Sequence, residues 1–75
     1  MADEKIQEIA KLEAPFGREI ICQDVVHESG LRMMRVRIRE GSRFTILDID
    51  TPIAAEWGQI MEKWSTQAKS RITGK

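Results

Sequence analysis

Residues 31–50 read LRMMRVRIREGSRFTILDID, and they specify a β-hairpin. Met34, Val36 and Ile38 alternate with Arg35, Arg37 and Arg39, the two-residue period of a strand with one apolar and one charged face. Gly41-Ser42 is a two-residue loop with glycine first, as a type II′ turn requires, and RFTILDID (43–50) is the returning strand. That loop sets Glu40 opposite Arg43. Ile38 then faces Thr45, Val36 faces Leu47 and Met34 faces Ile49, with all six on one side. On the reverse side Arg39 meets Phe44, Arg37 meets Ile46 and Arg35 meets Asp48. Turn chemistry and hydrophobic pattern agree on this register independently.

Upstream, REIICQDVVH (18–27) is rich in β-branched residues and predicts another strand, joined to the hairpin by Glu28-Ser29-Gly30. Its register is open. A two-residue loop at Ser29-Gly30 pairs Asp24 with Arg35 and sends Ile21 and Val25 into the core; a one-residue slip sends Ile20, Cys22 and Val26 inward instead. DEKIQEIAKLE (3–13) predicts a short helix with Ile6, Ile9, Ala10 and Leu12 as a loose apolar stripe, ended by Ala14-Pro15-Phe16-Gly17. Downstream, residues 51–70 predict the main helix. Asp50 or Thr51 caps it, Pro52 suits its first turn, and Ile53, Trp57, Ile60, Met61, Trp64 and Ala68 form one stripe. The stripe belongs on the Met34/Val36/Ile38/Leu47/Ile49 face, which buries both tryptophans. The expected architecture is α+β and two-layered: a short N-terminal helix, a three-stranded antiparallel β-meander and a long C-terminal α-helix (αβββα).

At 75 residues the chain is expected to form a single small domain over 1–75, with 1–4 and 71–75 frayed. Hydrophobic residues make up 41% and charged residues 32%, a globular rather than a disordered composition. Twelve basic groups balance twelve acidic ones, without the basic excess of a general nucleic-acid binder. Charge is blocked, however: residues 1–31 sum to −4, 32–43 to +4, 44–62 to −4 and 63–75 to +4. No apolar run approaches the ~18 residues of a membrane span, and residues 1–15 lack a signal peptide's apolar core, so a cytoplasmic address is expected.

Few residues in the chain point to chemistry. The single cysteine, Cys22, excludes an internal disulfide, and with the single histidine, His27, falls short of a zinc ligand set. Asp48 and Asp50, with Asp24, suggest a carboxylate cluster, but the arginines on that same face neutralise it. The expectation is therefore no metal site, no cofactor, no catalytic residue and no enzyme. Gly58, inside the long helix at a cost of ~1 kcal/mol against alanine, allows close approach of a neighbouring element, in this chain or in a partner.

The most distinctive feature is the row Arg35, Arg37 and Arg39, flanked by Arg32 and Arg43, all arginine and none lysine. With Phe44, Ile46 and Asp48 it makes a mixed face and the candidate interaction surface. The stretch GREIICQDVVHESGLRMMRVRIREGSRFTILDID (17–50), followed by the Trp57-Gly58 helix, resembles a small bacterial family carried as a domain of unknown function. The resemblance covers most of the chain and implies no activity. The functional expectation is a small cytoplasmic accessory protein that binds a protein partner and self-associates as a homodimer across the arginine face; the other way to cover that face is the chain's own N-terminal helix folded back over it, which would leave a monomer. The alternative is a nucleic-acid or phosphate-ligand binder using the arginine face; such a binder wants aromatics between the charges, and only Phe44 qualifies.

Overall fold

The computed structural model describes residues 4–73, with side chains through Lys69. Strands β1 (Lys5–Ala14), β2 (Arg18–Val26), β3 (Arg32–Glu40) and β4 (Arg43–Ile49) form one open antiparallel sheet in the order β1-β2-β3-β4. Helix α1 (Thr51–Thr73) follows. The fold is α+β, but ββββα: the expected N-terminal helix is a fourth strand. Of the expected fraying, residues 1–3, 74 and 75 lie outside the described residues, and α1 runs to Thr73.

The helical reading of residues 3–13 fails because of a β-bulge. β1 pairs with β2 from Lys5↔Val26 to Ala14↔Arg18, but its register shifts between Glu8 and Ala10. One extra residue in a two-residue period changes the phase of the strand. Ile6 therefore shares a sheet face with Val25, its pairing partner, whereas Ala10 and Leu12 lie on the other face, opposite Cys22 and Ile20. The resulting spacing of apolar residues imitates a helical stripe. Pairing with β2 also satisfies the backbone groups along that side of β1, where an isolated eleven-residue helix would be marginal in water.

The β3–β4 hairpin has the register expected from its sequence, from Glu40↔Arg43 through Arg35↔Asp48 to Met34↔Ile49. Gly41 carries the positive φ of 61° that a type II′ turn needs at its first central position. The β2–β3 hairpin takes the slipped register, with Asp24 opposite Met34, Cys22 opposite Val36 and Ile20 opposite Ile38. Its loop has three residues, not two. Gly30 N–H donates to His27 O and His27 N–H to Leu31 O, each at 2.8 Å, and Gly30 closes the turn at φ 94°.

Two sheet faces follow. One carries Leu12, Ile20, Cys22, Met34, Val36, Ile38, Leu47 and Ile49. The other carries Arg35, Arg37 and Arg39, with Phe44, Ile46, Asp48, Ile21 and Val25. Asp50 caps α1: its Oδ1 accepts from Ile53 N–H at 3.1 Å, and its carbonyl accepts from Ala54 N–H at 2.9 Å. The first turns of α1 pack on the apolar face beside β3.

The packing is incomplete. Among the described residues only Val25, Val36 and Ile49 are buried hydrophobics. Trp57 is partly buried beside Val36 and Ile38, but Trp64, expected in the core, is 68% exposed, and Leu47 is exposed as well. The molecule measures 57 × 30 × 15 Å with a radius of gyration of 15.3 Å, against about 11 Å for a compact domain of this length. Its accessible surface is 6327 Å². A compact monomer of 8.6 kDa exposes about 4,700 Å², so the excess is roughly 1,600 Å².

Candidate interaction surface

The arginine face assembles as its sequence suggests. Arg35, Arg37, Arg39, Phe44, Ile46 and Asp48 lie together on β3 and β4, held by direct cross-strand pairing. Arg35 donates twice to Asp48, Nε–H to Oδ1 at 2.8 Å and Nη2–H to Oδ2 at 3.1 Å. Those hydrogen bonds hold the Asp48 carboxyl below its usual range, against partial burial that raises it. Glu4 adds a second carboxylate 3.6 Å from Arg35 and also lies 3.2 Å from His27 Nδ1. The Arg37 guanidinium lies 5.1 Å from the centre of the Phe44 ring, a cation–π contact. Its buried Nε has no hydrogen-bond partner. Arg39 Nε–H donates to Glu19 at 3.4 Å, and Lys11 stands 3.4 Å from the same carboxylate. Burial opposes ionisation of Glu19, but the hydrogen bonds from Lys11 and Arg39 outweigh it and lower its pKa.

Most of the arginine charge on this face is therefore met within the chain. Part of the answer comes from Glu19 on β2, opposite Arg39 in the slipped register, and part from Glu4, just before β1, which a helical reading of residues 3–13 did not bring to this face. Phe44 and Ile46 remain exposed, at 50% and 57%.

The aspartates separate. Asp24 lies on the apolar face and binds Arg32 through two hydrogen bonds at 2.9 and 3.0 Å, not Arg35. Asp48 lies on the arginine face, and Asp50 is spent on the helix cap. Among the described residues no group of three His, Cys, Asp or Glu is placed to hold a metal ion. Cys22 is a free thiol on the apolar face, away from His27.

The second surface was not anticipated. Between α1 and the apolar sheet face runs an open groove of about 310 Å³, walled by Ile20, Cys22, Val36 and Ile38 on the sheet and by Ala54, Trp57 and Met61 on the helix. Gly58 lines it too, with nothing within 4 Å of where a Cβ would sit, so no element among the described residues exploits the close approach it permits. Along the adjoining flank of α1, Ile53, Ile60 and Trp64 are exposed. Ile53, Glu56, Trp57 and Ile60 enclose a shallow hollow of about 200 Å³. The signal for this surface was present in the sequence: the apolar stripe of α1 is wider than one small sheet face covers. No helix among the described residues is long and apolar enough to cross a membrane.

The chain belongs to a family of unknown function (DUF6967), whose model matches residues 3–67. No curated protein and no solved structure matches it.

Proposed function

We propose that this member of the family works by binding protein, through the apolar surface that α1 forms with the sheet face it leaves open. The observation that carries this reading is Trp64, 68% exposed at the head of an apolar flank that continues through Ile60 and Ile53 and adjoins the groove beside Trp57. Contiguous apolar surface rimmed by charge marks protein-binding sites, and exposed tryptophan is a favoured anchor. The arginine face supports a ligand less well, since Asp48 and Glu19 already occupy Arg35 and Arg39, and Phe44 is stacked by Arg37.

Photo-crosslinking in the source cell tests the proposal. A benzoylphenylalanine at position 60 is expected to give a discrete protein adduct that Trp64→Glu abolishes. The absence of an adduct at position 60, with one at position 44 instead, would move the activity to the arginine face and refute the reading.

A further inference from the structure

The protein that occupies this surface is a second copy of the chain: we infer that two copies pair through α1, antiparallel about a two-fold axis, along Ile53, Trp57, Ile60 and Trp64. The inference rests on the protein-binding reading above and names its occupant.

Three observations carry it. The first is spacing. Ile53, Trp57, Ile60 and Trp64 are separated by 4, 3 and 4 residues, the seam of a two-stranded coiled coil. The hollow between Ile53, Glu56, Trp57 and Ile60 is bounded by positions i, i+3, i+4 and i+7, the four-residue hole that receives one side chain of a facing helix. Antiparallel alignment sets Ile53 opposite the partner's Trp64 and Trp57 opposite the partner's Ile60. The partner's Ile60 then falls over that hole, and each layer combines one large and one smaller side chain. A parallel alignment stacks tryptophan on tryptophan instead.

The second is charge. Glu56 and Lys63 lie seven residues apart on one flank of the seam. In the antiparallel pair each Glu56 meets the partner's Lys63, and the two-fold axis makes the contact twice. In a parallel pair the same positions meet Met61 and Ala68. Complementary flanking charges of this kind set partner choice and orientation.

The third is area. The surface exposed beyond that of a compact monomer, roughly 1,600 Å² over the whole chain, exceeds the ~800 Å² that each partner hides in a standard interface, so the fold leaves apolar surface for one.

Sedimentation equilibrium between about 1 and 100 µM tests the pairing, with far-UV circular dichroism to verify folding. The wild-type chain is expected to sediment at twice its 8.6 kDa mass. Glu56→Lys and Lys63→Glu, both at exposed positions, are each expected to weaken the dimer about tenfold. The variant carrying both changes, and an equimolar mixture of the two single variants, are expected to recover the affinity to within about threefold, because both restore opposite charges across the axis. A folded wild-type chain at single-copy mass throughout overturns the inference. So does a dimer that neither single change weakens, or one that Ile46→Glu dissolves and Trp64→Glu does not. If the chain is single and the position-60 adduct is a different protein, the dimer fails while the protein-binding reading stands. If both are absent, the reading itself has failed.

Discussion

The two tryptophans of α1 are expected to differ sharply in what they contribute to the isolated chain, although their sequence context is nearly the same. Trp57 is partly buried and lines the groove together with Val36, Ile38 and Ile49. Full burial of a tryptophan makes its truncation cost about 3–5 kcal/mol; with one side open to the groove, Trp57→Ala should cost about 3 kcal/mol. Trp64 retains 68% of its exposure. The remaining third of a side chain that can hide up to ~250 Å² is about 80 Å², or at most about 2 kcal/mol at ~25 cal/mol per Å². A compact unfolded chain lowers this further, so Trp64→Ala should cost about 1 kcal/mol. Urea unfolding followed by far-UV circular dichroism measures both, at a dilution where the midpoint no longer depends on protein concentration. A domain this small has only ~5 kcal/mol or so in total, so Trp57→Ala should come close to unfolding it while Trp64→Ala should not. Equal costs, or a larger cost for Trp64, would mean that α1 lies along the sheet for its whole length. At higher concentration the Trp64→Ala deficit should grow, because dimer stabilisation is lost with it.

Asp50→Ala should lower stability by about 1 kcal/mol and Asp50→Asn by much less, since asparagine caps equally well; equal losses in thermal unfolding would remove the cap from the account. Phe16 is 90% exposed and held at φ 65°, ψ 35°. Phe16→Asn should therefore raise the urea midpoint by an amount equivalent to about 0.5 kcal/mol, asparagine tolerating the left-handed region better; a lower midpoint would show that the ring contributes contacts that matter. The Asp48 carboxyl is lowered in the fold by the hydrogen bonds from Arg35. Its contribution is then fully present above the ordinary aspartate pKa of about 4 and is lost as pH falls from there through the folded value. Asp48→Asn should flatten the fall in stability over that acid range, and an unchanged slope would assign the acid sensitivity to other carboxylates.

How much of this was legible in the sequence depends on how many independent signals met at each element. In the β3–β4 hairpin the two-residue period and the glycine of a two-residue turn select the same register, so every pairing from Glu40↔Arg43 to Met34↔Ile49 could be read, and with it the common face of Arg35, Arg37, Arg39, Phe44, Ile46 and Asp48. At β2 the strand is apolar on both faces, so only the loop could decide. The loop depends on Gly30 adopting φ 94° at the third of three positions, which composition alone does not distinguish from a two-residue turn. In β1 the bulge after Glu8 converts a two-residue period into a helix-like one. Periodicity identified the apolar face of α1 but not what covers it. A stripe reads the same whether the cover is the chain's own sheet or another molecule, and Trp64 was placed in the core on that ground.

The other surfaces of the molecule are poorly suited to association, which strengthens the case for α1. An open four-stranded sheet has two edges at which backbone groups invite pairing with another chain. The β1 edge is interrupted by a bulge and carries Lys5, Glu8, Lys11 and Glu13, features that discourage edge-to-edge pairing. The β4 edge is only seven residues long and has Arg43 at its start and Asp48 near its end. On the arginine face, approach of a second copy would have to displace pairs already formed, Arg35 with Asp48 and Arg39 with Glu19, for surface interactions worth ~0–1 kcal/mol each. Along α1 no such exchange is required. Its flank offers isoleucine and tryptophan to water, and Glu56 and Lys63 border it with opposite charge. Burying that flank recovers transfer free energy in proportion to area, the one term large enough to compensate for a core in which three hydrophobic side chains are buried among the described residues. On these grounds α1 is the surface through which association is expected to complete the fold, with the sheet as the platform that holds it in place.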